Sequence, residues 1–132
     1  MAQTDLTGPL AVPGGFVGPL TGSVTGEVIA PTPTAYSGAD AATKAILPAN
    51  TWATLTKGSA GTDYTLAAPG SANAGRTLRI TSTGAHAHVV TVTGLLGGTT
   101  MTFGAAVGNG FEVFAVSATV WVIKSNNGIT QT

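Results

Sequence analysis

Two histidines, His86 and His88, stand in the run GAHAHVV and are the side chains through which this chain would most readily do chemistry. Residues two apart share a face of a strand. Two imidazoles at that spacing can hold a metal ion together. No Asp, Glu or Cys stands near them in the sequence to complete a site. Further ligands would have to come from other copies around a symmetry axis. The competing reading is two ordinary histidines, on a solvent face or hydrogen-bonded at an interface. The expectation is no metal and no cofactor.

The remaining reactive residues are scattered. The carboxylates are Asp5, Glu27, Asp40, Asp63 and Glu112, and no two are close in sequence. Hydrolysis by paired carboxylates needs two of them held a few ångströms apart. No Gly-x-Ser-x-Gly elbow accompanies the histidines. The Gly-rich LLGGTT at 95–100 has neither the lysine nor the spacing of a phosphate loop. Arg76 and Arg79, three apart, would point to opposite faces of a strand and so make no phosphate clamp. Trp52, Tyr64 and Trp121 are candidates for a sugar-stacking platform or for core packing. Nothing here amounts to an active site, and the chain is expected not to be an enzyme.

The elements that would carry these residues are set by an unusual composition. Of 132 residues, 43% are hydrophobic and 8% charged, where a soluble protein averages about 25% charged. Five Lys+Arg balance five Asp+Glu, so no basic surface awaits nucleic acid. Mean hydropathy is +0.35. Glycine occurs 19 times and threonine 23 times, so hydroxyls supply most of the polarity that charges do not. No apolar run reaches the ~18 residues of a spanning helix, and no membrane partner is expected. Without cysteine there are no disulfides and no thiolate chemistry. The opening residues lack the basic and apolar regions of a secretory signal, which points to assembly in a cytoplasm. A monomer with so few charges and no net charge self-associates readily. Either a permanent oligomer or particle covers much of its surface, or threonine hydroxyls coat the exposed faces of a β protein.

Two regions follow, 1–38 and 39–132. Six of seven prolines precede residue 50, which excludes a long helix there. In 18–28, Gly18, Gly22 and Gly26 recur every four residues between Leu20, Val24 and Val28. In an extended chain all six fall on one face, where glycines admit another backbone. That suits an arm packed among identical chains, and a flexible linker is the alternative. Residues 30–38 read as a polyproline-like hinge. Residues 39–47 are the one plausible helix, capped by Asp40 and stopped by Pro48. From residue 50 the period becomes two, with strands expected at 51–57, 64–67, 76–83, 88–94, 99–105, 111–117 and 119–125. The last two form a hairpin, and the Asn-Gly pair at 127–128 suits a tight turn. The expectation is all-β: a compact sandwich, jelly-roll-like or barrel domain of about seven or eight short strands, preceded by an extended Gly/Pro/Thr-rich arm. Both faces of 111–116 are apolar, which implies burial on both, one of them at a subunit interface.

Residues 63–94 and 99–130 carry a loop followed by GRTLRITS, an AHVVT strand, a TFGA strand and a final hairpin with one tryptophan. In this pattern the chain resembles small structural proteins of tailed bacteriophages: head decoration (cement) proteins and the tip domains of head or tail fibres. The glycine-threonine-valine repeat of 15–28 is similar to the arms of such proteins. The resemblance implies a β-rich homotrimer on the virion, bound to the major capsid protein and without enzymatic activity. The short arm favours decoration of the head over a stalked fibre, whose tip would bind a receptor glycan through Trp52 or exposed loops. On this view Leu10, Phe16, Val17, Gly18, Leu20, Gly22, Val24, Gly26 and Val28 form the capsid-binding arm. Val90, Val92, Met101, Phe103, Phe111 and Phe114 contribute to the subunit interface.

Overall fold

The computed structural model describes residues 32–58 and 61–132. Within them the chain is all-β, two five-stranded sheets packed face to face, with one α-helical turn and one 3-10 turn at Ser71–Asn73. The strands are β1 (Thr34–Tyr36), β2 (Ala45–Ile46), β3 (Trp52–Leu55), β4 (Asp63–Leu66), β5 (Thr77–Ser82), β6 (Val89–Val92), β7 (Thr100–Phe103), β8 (Gly110–Ala115), β9 (Trp121–Asn127) and β10 (Ile129–Gln131). The turn, α1 (Ala41–Lys44), starts where Asp40 caps it. The Asp40 carboxylate accepts from the Thr43 N–H at 2.8 Å, and the Thr43 hydroxyl accepts from the Asp40 N–H at 3.0 Å. This reciprocal capping satisfies donors that a helix start leaves open. The helix is shorter than 39–47, because β2 takes its last residues into a sheet.

The first sheet runs β1-β3-β5-β8-β9 and the second β10-β7-β6-β4-β2. Through β6 the chain alternates between sheets at every strand, so β1, β3 and β5 pair in parallel on one side and β2, β4 and β6 on the other. Parallel neighbours need a long return connection. Here each return passes through a strand of the opposite sheet, giving a flattened coil of three turns. β7 then adds antiparallel to β6, β8 to β5, β9 to β8 and β10 to β7. The expected sandwich is therefore present, but its first six strands are not paired as in a jelly roll, whose neighbours run antiparallel. All seven strands expected from periodicity form. Three more, β1, β2 and β10, join them, and β1 takes three residues of the expected hinge into the first sheet.

Alternation decides the core. Ala53 and Leu55, Leu78 and Ile80, and Phe111, Val113 and Ala115 face inward from the first sheet. Tyr64 and Leu66, Val90 and Val92, and Met101 and Phe103 meet them from the second. Trp121 is fully buried, and its indole N–H donates to the Ala67 carbonyl at 2.9 Å. Tyr36 closes the open side of the first turn, its hydroxyl accepting from the Leu47 N–H at 3.0 Å and the Asn50 amide at 2.6 Å. The Asn-Gly pair is no hairpin turn. It is a corner carrying the chain from β9 in one sheet to β10 in the other, braced by the Asn126 side chain, which bonds the Ile129 N–H and carbonyl.

Candidate functional site

The outer face of the first sheet gathers side chains that the sequence keeps far apart. Strand register sets Trp52 beside Arg79, Arg79 beside Glu112, and Glu112 beside Ser125, one row across β3, β5, β8 and β9. The Arg79 Nε donates to Glu112 Oε1 at 2.8 Å and its Nη2 lies 2.6 Å from the same oxygen. The guanidinium also lies 5.8 Å from the centre of the Trp52 ring, a cation–π distance. Trp52 is fixed in turn by its indole N–H, which donates to the Thr81 hydroxyl at 3.0 Å. A bulge in β9 opposite Glu112 leaves Lys124 as the extra residue, its Nζ 4.0 Å from Glu112 Oε2. Bulges re-aim side chains in this way.

The next row of the face contains Gly110 between Thr81 and Asn127. A Cβ on Gly110 would stand 2.6 Å from the Ile80 carbonyl oxygen, so only glycine lets β8 lie this close to β5. Beside Gly110 lies an open groove of about 210 Å³, bordered by Arg79, Thr81, Glu112, Ser125 and Asn127. Hydroxyl, amide, guanidinium and carboxylate groups stand at its rim, over a lining that also includes Gly108, Gly110 and Phe111 and is more apolar than polar. The Glu112 side chain is 17% exposed and that of Arg79 53%.

The histidines occupy the opposite sheet's entry. Strand β6 starts at Val89, so both precede it. A hydrogen bond from the His88 N–H to the His86 carbonyl at 2.9 Å bends the backbone between them. His88 turns into the core, where its Nδ1 accepts from the Thr62 N–H at 3.2 Å and Tyr64 and Phe103 pack edge-on around it. Its Nε2 has no hydrogen-bond partner among the described residues. Since Nδ1 accepts, the neutral ring carries its proton on Nε2. Burial, with a smaller effect from neighbouring His86, holds the His88 pKa below its usual value, against a backbone contact from Lys57 that raises it. His86 Nε2 donates to the Gly58 carbonyl at 2.7 Å. The two rings are 6.1 Å apart and each is spent on a loop, so they do not form the same-face pair that a strand would give. Among the described residues no three His, Cys, Asp or Glu side chains gather as metal ligands.

The aromatic trio divides: Tyr64 and Trp121 are core, and Trp52 alone faces outward. Burial raises the Tyr64 pKa, and its hydroxyl donates to the Tyr36 carbonyl at 3.3 Å. The interface set needs correction. Val90, Val92, Met101, Phe103 and Phe111 fill the space between the chain's own sheets, each at most 2% exposed, and have no surface to offer a neighbour. Phe114 is the exception, half-buried on the outer face beside Val122. The arm residues Leu10, Phe16, Val17, Gly18, Leu20, Gly22, Val24, Gly26 and Val28 lie outside the described residues. The charged row was missed from sequence because it exists only through register. The one signal available was a Trp, an Arg and a Glu each at an outward position of its strand. No family model matches the chain, and no curated protein and no solved structure matches it.

Proposed function

We propose that the chain is a structural protein of a tailed-phage head, a decoration protein that binds the outer surface of the shell as a homotrimer and stabilises it. The observation that carries this reading is the two-segment pattern at 63–94 and 99–130, which resembles virion decoration and fibre-tip proteins and spans β4 to β10. Physical chemistry supports it. A protein that binds only the expanded shell stabilises that state by mass action. Such a clamp needs a rigid body, and a two-sheet core stitched by long-range ladders provides one. It also needs contact surface poor in charge. One end of the sandwich joins the 94–97 loop to the start of β9, through Leu96 N–H to the Trp121 carbonyl at 2.9 Å. Leu96 stands 66% exposed there, and Val116, in the loop before β9, is 50% exposed. With the core residues withdrawn from the interface, Phe114, Leu96 and Val116 are its replacement candidates.

The arm reading is tested by deleting residues 2–28 and measuring co-sedimentation with expanded, undecorated shells. Binding is expected to vanish while the β domain keeps its cooperative thermal unfolding. Undiminished binding by the folded truncated protein would remove the arm from the proposal.

A further inference from the structure

We infer that the groove on the outer face of the first sheet is a saccharide site. Its donors and acceptors converge and remain unspent. Both Arg79 contacts fall on Glu112 Oε1, leaving Oε2 with only Lys124 at 4.0 Å, beyond hydrogen-bond reach. The Ser125 hydroxyl and the Asn127 amide, which border the groove, make no side-chain hydrogen bond to another described residue. The guanidinium keeps N–H groups beyond the two directed at Glu112. A surface ion pair of this kind contributes little to folding.

The chemistry of the lining selects the ligand. Both signs of charge stand at the groove, Arg79 and Lys124 against Glu112, so a ligand of either sign meets a like charge. An anion would meet the Glu112 carboxylate, and a cation the guanidinium. A ring with several hydroxyls, each both donor and acceptor, can use guanidinium, carboxylate, hydroxyl and amide together. The volume, about 210 Å³, lies below the roughly 300 Å³ where drug-sized pockets begin. The site stands on β5 and β8, with Arg79 held between Trp52 and Glu112, so the guanidinium and the carboxylate are positioned before a ligand arrives, while the exposed Ser125 and Asn127 side chains are free to turn to it.

The test is a titration of the isolated full-length chain with the methyl glycosides of glucose, galactose, mannose and N-acetylglucosamine, followed by proton–nitrogen correlation spectra. At least one glycoside is expected to shift the Arg79 Nε–H and Asn127 amide signals saturably, at millimolar concentration, while the buried Trp121 indole signal stays fixed. Glu112→Gln should weaken that binding about tenfold or more, and Asn127→Leu, which fills the groove from an edge strand, should abolish it. Two results would overturn the inference: none of the four glycosides moves these signals, or inorganic sulfate moves them and the glycosides do not. Binding unchanged in both variants would place the sugar elsewhere and overturn it equally. Failure here leaves the shell-binding proposal standing, and loss of shell binding leaves the groove standing, because the titration involves no particle.

Discussion

His88 joins two loops to the core at one atom each. Its Nδ1 holds the Thr62 N–H, its ring fills space between Tyr64 and Phe103, and its neighbour His86 ties the 83–88 loop to Gly58. Burial of this kind favours the neutral imidazole in the folded chain. Its pKa is lowered in the folded chain and near 6.5 in the unfolded one, so below pH 6.5 the unfolded chain takes up a proton that the folded chain refuses. Stability present above that pH is therefore lost as the pH falls through the folded value. Urea midpoints measured from pH 7.5 towards pH 5, above the ordinary carboxylate range, should fall steadily. In His88→Asn, whose side-chain carbonyl can still accept from Thr62, the slope should flatten. A wild-type midpoint constant across the window would contradict the assignment. The sequence made these histidines conspicuous but placed them on one strand face. What it did not reveal was the bend at His86–His88, which depends on where the Gly58 and Thr62 backbones come to lie.

At the scale of elements, the fold rests on a coil whose returns all pass through the opposite sheet. Such an arrangement is held at its ends, and Gly94 is one end. Its φ is +80°, and a Cβ there would run into the Thr119 carbonyl, where the loop after β6 meets the start of β9. Gly94→Ala combines a strained backbone with a clash and should cost about 1–3 kcal/mol in chemical denaturation. A change within a few tenths would show the two loops to be independent. Tyr36 holds the other end. Tyr36→Phe removes the acceptor shared by the Leu47 N–H and the Asn50 amide, both part-buried bonds, and should cost about 0.5–1.5 kcal/mol. The longer strands were legible either because they alternate apolar and polar residues, as in Leu78, Ile80 against Thr77, Arg79, or because they are β-branched and aromatic runs, as in β6, β8 and β9. β1, β2 and β10 have two or three residues each and carry no period to read. Pairing direction was illegible for a related reason. A half-buried strand shows the same alternation whether its neighbour is parallel or antiparallel, so TWATL and RTLRITS do not disclose that they lie side by side.

At the scale of the molecule, the chain has few charges, a threonine-coated exterior and a core that its own sheets complete. Phe103 and Phe111, whose rings lie 5.9 Å apart in that core, look in sequence like material for an interface. The sequence overestimated the interface because strands apolar on both faces are ambiguous until the second sheet is placed. Val116 and Phe114 are what that second face amounts to. The groove across β5 and β8 was invisible for the converse reason: Arg79 and Glu112 stand 33 residues apart, and only the ladder joins them. The central claim is that the protein coats a phage head, and copy number tests it most directly. Quantitative mass spectrometry of purified particles from its source should find this chain in amounts comparable to the major shell protein. A handful of copies per particle would make it a fibre or tail part, and complete absence from the particle would contradict the virion assignment itself.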